Sequence, residues 1–230
     1  MTKHALIVAH GQPSDPAPAE RDLDNVARAV SRCLPDWHIR AATLATPGAL
    51  ETAVDGVVGA RVMPFFMSDG WFTKIELPRR LAAAGAQGFM TLPAFGLMPE
   101  AAALAVQIVR DALSQRGWNA EDSTVVLAAH GSGRSRAPAE AAARIRDAIA
   151  HALPIGDLRL GFIEEAPLLE DAAKDANRRA LCLPLFVARW GHVVSDVPAA
   201  LDAAGFAADC LPPLGVHASV PGIIARAIAG

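Results

Sequence analysis

His130, Glu164 and His192 stand where a duplicated unit carries different residues in its other copy. Two neutral imidazoles and a carboxylate suit borderline divalent ions such as Fe²⁺, Co²⁺, Ni²⁺ or Zn²⁺. The same groups suit proton abstraction near neutral pH, where histidine titrates. The duplication is read from a spacing of 120 residues. Ala9-His10-Gly11 recurs as Ala129-His130-Gly131, and Ala17-Pro18-Ala19-Glu20 as Ala137-Pro138-Ala139-Glu140. Pro64-Phe65-Phe66 returns as Pro184-Leu185-Phe186, and Pro78 and Leu81 return as Pro198 and Leu201. One offset through so many matches marks a repeated unit. At that offset Leu44 corresponds to Glu164 and Phe72 to His192. Only the second copy holds all three groups. A single histidine is ordinarily structural, but three positions that differ together call for a functional reading.

The arginines follow the same asymmetry. Arg134, Arg136 and Arg189 flank His130 and His192, where the first copy has Ser14, Pro16 and Asp69. Guanidinium forks grip carboxylates or phosphates at two points, so the cluster implies an anionic ligand. Gly131-Ser132-Gly133-Arg134 offers backbone N–H groups to an oxyanion, with Ser132 among the candidate contacts. His4, His38 and His151 lie in strand or helix contexts without evident partners, and His10 reads as structural. His217 either lines the site or caps the last helix. Trp71 and Trp190 suit a flat ligand or an apolar wall equally well.

These residues need elements to carry them. Ala5–Ala9 and Thr124–Ala129 are short unbroken apolar runs, as buried parallel strands are. Residues 20–34 and 138–153 follow each run with apolar residues at helical spacing. Further strands are expected at 38–45, 60–67 and 88–92, and at 157–163, 180–187 and 207–211. Helices are expected at 50–57, near Pro78, at 99–115, 167–177, 198–204 and after Pro221. Strands separated by helices imply parallel sheets with right-handed crossovers. The expected fold is α/β, in two similar halves with a cleft between them. Each half is a four-stranded parallel sheet flanked by helices. The halves would span residues 1–117 and 118–230, about 115 residues each, joined at the polar segment 116–122. In such sheets ligands bind at the carboxyl ends of the strands. His130, Glu164 and His192 arrive at that edge from three different strands.

Composition narrows the classes. The chain has 230 residues, 52% of them apolar, and a net charge of −3. That is ample for a packed core and gives no general reason to expect nucleic acid or a membrane as partner. The three cysteines, Cys33, Cys182 and Cys210, show no Cys-x-x-Cys spacing, which argues against a thiolate zinc site or a disulfide framework. They read as small core or surface residues in a reducing compartment. No run approaches the roughly 20 apolar residues that span a bilayer, and no signal peptide is evident. A cytoplasmic protein is expected, monomeric or homodimeric.

The order of motifs resembles the sirohydrochlorin chelatases of the CbiX/SirB type. The matching stretches are Ala129-His130-Gly131-Ser132, Phe162-Ile163-Glu164 with Pro167, Pro184-Leu185-Phe186, Gly191-His192, Asp196-Val197-Pro198 and Pro213-Leu214-Gly215. The resemblance implies a class II, ATP-independent chelatase that inserts Co²⁺ or Fe²⁺ into sirohydrochlorin, for cobalamin or siroheme. It implies no permanently bound cofactor, with the metal as substrate. His130 and His192 would bind the metal, and Glu164 would help bind it or remove a proton. The arginines would meet the acetate and propionate groups of the macrocycle. In two-domain relatives the first half is where an active triad is looked for first, so the reading here makes the first half the degenerate one.

The alternative is a non-catalytic protein that carries metal or tetrapyrrole, but a carrier needs no proton acceptor. A phosphoryl-transfer enzyme is weakened by the lack of an Arg-His-Gly triplet or Gly-Lys-Thr/Ser loop. A serine hydrolase is weakened by the lack of a Gly-x-Ser-x-Gly elbow.

Overall fold

A computed structural model describes residues 3–230. The first sheet is built from β1 (Lys3–Ala9), β2 (Trp37–Thr43), β3 (Ala60–Pro64) and β4 (Met90–Thr91), all parallel, in the order β2-β1-β3-β4. Helices α1 (Pro16–Cys33), α2 (Ala49–Val54) and α3 (Leu77–Ala83) connect them, and α4 (Pro99–Gln115) follows β4. The second sheet repeats the pattern with β5 (Thr124–Ala129), β6 (Asp157–Phe162), β7 (Ala180–Pro184) and β8 (Asp209–Cys210), in the order β6-β5-β7-β8. Its helices are α5 (Ala137–Ala152), α6 (Leu169–Ala173), α7 (Gly191–Val194) and α8 (Asp196–Ala203), and α9 (Val220–Ala229) closes the chain. No helix is long and apolar enough to cross a membrane among the described residues.

The central strands form for the reason their sequences suggest. Every residue of β5 is buried, as a strand covered on both faces requires. In α1 the buried residues Ala19, Leu23, Ala27 and Val30 form one stripe, and Pro16 starts the helix where a missing N–H costs nothing. The two cores match: Leu6, Val8, Leu50, Val54, Val62 and Leu77 in one, Val126, Ala128, Leu169, Ala173, Cys182 and Val197 in the other.

The expected division at residue 117 differs from the compact units. One unit runs to Gly96 and resumes at Ala218–Gly230; the other is Leu97–His217. Helix α4 buries Leu104, Val109 and Leu113 and packs on α5, whereas α9 packs on α1 and β3. An apolar helix face must be covered, but its pattern does not name the partner.

The repeat also slips. Ala9 corresponds to Ala129, an offset of 120, because each is the last residue of its central strand. Ala9 pairs with Thr43 and Ala129 with Phe162, so β2 and β6 correspond at 43 to 162, an offset of 119. The next hydrogen bonds agree: Leu44 N–H and Ile163 N–H donate to the Ala9 and Ala129 carbonyls, and Ala45 N–H and Glu164 N–H to those of His10 and His130. The counterpart of Glu164 is therefore Ala45. Leu44 is a core residue, equivalent to Ile163. The offset returns to 120 at β3 and β7, where Val62 pairs with Leu6 and Cys182 with Val126.

Candidate active site

The second unit gathers its polar groups at the carboxyl edge of the sheet. His130 is the first residue after β5, Glu164 lies two residues beyond β6, and His192 sits in α7, beyond β7. The chain leaves His130 through Gly131 at φ +73°, where a side chain would be strained and its Cβ would press on Glu165 and Phe162. The first copy turns the same way at Gly11.

The hydrogen bonds decide which ring nitrogens are available. Nδ1 of His130 is 2.8 Å from the Gly131 carbonyl, and Nδ1 of His192 is 2.5 Å from Oδ2 of Asp196. Carbonyl and carboxylate oxygens only accept, so each Nδ1 carries the hydrogen and each neutral ring keeps its lone pair on Nε2. Those two Nε2 atoms face each other at 3.1 Å, with the rings perpendicular. Two lone pairs at that distance repel unless a proton or a cation is shared. Ligands held about 2.0–2.1 Å from one ion at ordinary angles are themselves about 3 Å apart. The pair is thus spaced as two ligands of one ion.

Glu164 stands off a little. Its Oε1 is 3.7 Å from Nε2 of His130, and its side chain is 51% exposed. Among the described residues no set of three His, Cys, Asp or Glu side chains forms a ready metal cage. Two imidazoles converge and the carboxylate flanks them. The site is open, with the His130 and His192 side chains 40% and 44% exposed.

The remaining candidates are spread more widely. Ser132 N–H donates to Oε1 of Glu165 at 2.8 Å, and its hydroxyl accepts from Arg134 N–H, which ties the His-Gly loop to the end of β6. Arg134 and Arg189 are exposed. Arg136 opens α5 with its side chain 93% exposed, paired at 3.7 Å with Glu140. His217 ends a short 3₁₀ turn at Leu214–Val216.

Asp196 and Glu165 are the residues that sequence reasoning passed over. Asp196 was visible as part of a motif, and the His192–Asp196 spacing of four is the one that brings helical side chains together. Glu165 carried no comparable signal.

Against this geometry, the family model for CbiX matches residues 124–230. A solved structure of CbiX, described as the terminal enzyme for biosynthesis of siroheme in denitrifying bacteria, is 48% identical. That likeness covers 99% of this chain and 98% of the other, with a TM-score of 0.91.

This chain belongs to the CbiX family.

SirB from Bacillus subtilis with Fe³⁺ shares the fold at 14% identity, over 100% of this chain and 95% of that one, with a TM-score of 0.80. The sirohydrochlorin chelatase SirB from Bacillus subtilis subspecies spizizenii, in complex with cobalt, does so at 14% identity and a TM-score of 0.71, over 100% and 94%. No curated protein matches by sequence. The matched segment contains His130, Glu164, His192 and Asp196.

Proposed function

We propose that this CbiX-family chain inserts Co²⁺ or Fe²⁺ into sirohydrochlorin or a related tetrapyrrole, without ATP, in siroheme or cobalamin synthesis in the cytoplasm. The observation that carries the reading is the pair of Nε2 lone pairs 3.1 Å apart, each fixed by an acceptor on its own Nδ1.

His130 and His192 hold the incoming ion by their Nε2 atoms. An open, two-imidazole grip leaves coordination positions for the macrocycle nitrogens, which a closed cage would deny. Insertion releases two pyrrole N–H protons. As the ion passes to the macrocycle, the vacated Nε2 atoms become bases at the place where the protons appear, and the Glu164 carboxylate is 3.7 Å from one of them. Asp196 keeps His192 in the metal-binding tautomer and steadies its imidazolium. Arg134 and Arg189 make no ion pair with a carboxylate among the described residues, and they serve the acidic rim of the substrate, with Ser132 beside them. Arg136 joins them by releasing Glu140.

The test is a spectral assay with metal-free sirohydrochlorin and Co²⁺ or Fe²⁺ in turn. Many turnovers per chain support an enzyme. A single stoichiometric absorbance change, with no turnover, would make the chain a carrier instead.

A further inference from the structure

The second unit carries a cysteine pair that the chelatase reading does not use. Cys182 on β7 and Cys210 on β8 are register partners, so their side chains leave the sheet on the same face. Adjacent strands lie about 4.7–4.9 Å apart, within the Cα separation of about 4.4–6.8 Å that a disulfide spans. The two thiols are near enough to shift each other's acidity, and Cys210 Sγ lies 3.7 Å from the Leu211 carbonyl. We propose that Cys182 and Cys210 form a reversible dithiol–disulfide couple, a modification site separate from the imidazole cluster.

The two cysteines have unequal surroundings, as the two members of such a couple require. Cys182 is fully buried in the core, and Cys210 is exposed. The nearby Cys182 thiol and the positive charge of Arg189 hold the Cys210 thiol below its ordinary range. The same proximity and burial push Cys182 well up, so it stays protonated. A thiolate is the attacking species, and exposure lets it meet a reagent. Cys210 therefore attacks, and Cys182 resolves.

The oxidant is a small-molecule disulfide, R–S–S–R. The Cys210 thiolate attacks one of its sulfurs, the S–S bond breaks, and RS⁻ departs, leaving a mixed disulfide on Cys210. Cys182 gives up its proton to a departing thiolate, attacks Cys210 Sγ and expels the second RS⁻. Two cysteine thiols are oxidised and one small disulfide is reduced to two thiols.

The duplication supplies an internal control. Val62 is the counterpart of Cys182, and Thr91, paired with Val62, is the counterpart of Cys210. The first unit thus holds the same strand pair without sulfur. In the second unit β8 joins β7 through only two residue pairs, so a covalent link would fasten this short edge strand to the one that leads toward Arg189 and His192.

The test uses the full chain with Cys33→Ser, reduced and then incubated with oxidised glutathione. Cysteines are counted by maleimide labelling after acid quench and denaturation, and peptides are mapped by mass. The expected result is loss of both remaining thiols, a cross-linked Cys182–Cys210 peptide, and full recovery with dithiothreitol. Cys182→Val and Cys210→Thr copy the other unit, which preserves packing. The first should halt at a glutathione adduct on Cys210, and the second should leave Cys182 unreacted. A persistent glutathione adduct on Cys210 in the parent, or two thiols that stay free, would overturn the proposal. None of these readouts depends on metal insertion.

Discussion

The two units carry the same loops and put different side chains on them. In the second, His130 meets His192, whose outer nitrogen is held by Asp196. In the first, His10 makes the same Nδ1–H bond to the following carbonyl, but its ring meets the edge of Phe72 at a centroid distance of 4.3 Å. Glu164 is replaced there by Ala45, and Asp196 by Glu76. Glu76 is held by Arg79 through two hydrogen bonds of 2.9 and 2.8 Å. At the counterpart of Arg79 the second unit has Ala199, so no guanidinium competes for Asp196. A carboxylate at one position therefore serves an imidazole in one unit and an ion pair in the other. Two exchanges separate them: Phe72 offers no ring nitrogen where His192 does, and Arg79 stands three places along the helix where the second unit has Ala199.

The largest expected effect separates the units directly. His130→Ala or His192→Ala should lower metal insertion by a factor of about 10² or more, since each removes a proposed ligand and base. His10→Ala should keep most of the activity. Steady-state rates with sirohydrochlorin decide this, and an inert His130→Ala beside a dead His10→Ala would reverse the assignment of the working unit.

A smaller loss is expected one step back from the metal. Asp196→Asn should cost about 10–100-fold in metal affinity or rate, because the amide can donate to Nδ1 and so release the tautomer that Asp196 imposes. Asp196→Glu should recover part of it. Glu76→Gln, at the matching position, should leave the rate unchanged. Equal losses from Asp196→Asn and Glu76→Gln would show that the comparison reports folding and not chemistry.

The comparison is sharpened by grafting. Ala45→Glu, Phe72→His and Arg79→Ala together give the first unit the second unit's groups, and equilibrium dialysis with Co²⁺ should then find an additional bound equivalent. An unchanged equivalence would mean that loop shape differs too; Phe72–Glu76 is a π-helical turn, whereas Gly191–Val194 is α-helical.

The smallest effect is in stability. Arg79 holds the Glu76 carboxyl below its ordinary range. A carboxyl lowered in the folded state contributes stability above its unfolded pKa of about 4.3 and loses it as pH falls through the folded value. Arg79 is largely exposed, so the contribution is minor. Glu76→Gln should lower Tm slightly at neutral pH and not at all once the carboxyl is protonated. A deficit that grows toward acid would have the wrong sign.

Much of this was legible from residue patterns, and the misses share a cause. The alternation of strands and helices, and the bounds of α4 and β5, followed from local periodicity. The identity at Ala9, Pro64 and Pro78 concealed a one-residue slip at β2, so Leu44 was set against Glu164 although Ala45 stands there. Strand register is fixed by pairing with β1, which a linear offset does not register. The cysteines fared similarly. Cys182 and Cys210 looked scattered because their meeting depends on β7 lying beside β8. The exchange of α4 and α9 escaped too, since an apolar stripe asks for cover without saying which sheet gives it.

By itself the sequence determined a duplicated parallel α/β fold and which copy kept two histidines and a glutamate. Those follow from hydrophobic period and from residue identity, both local properties. Only the tertiary structure decided that two Nε2 lone pairs face each other at 3.1 Å and that Glu164 stands 3.7 Å aside. Those facts rest on strand order, register and loop direction, which bring residues 62 positions apart to 3.1 Å and residues 34 positions apart to 3.7 Å.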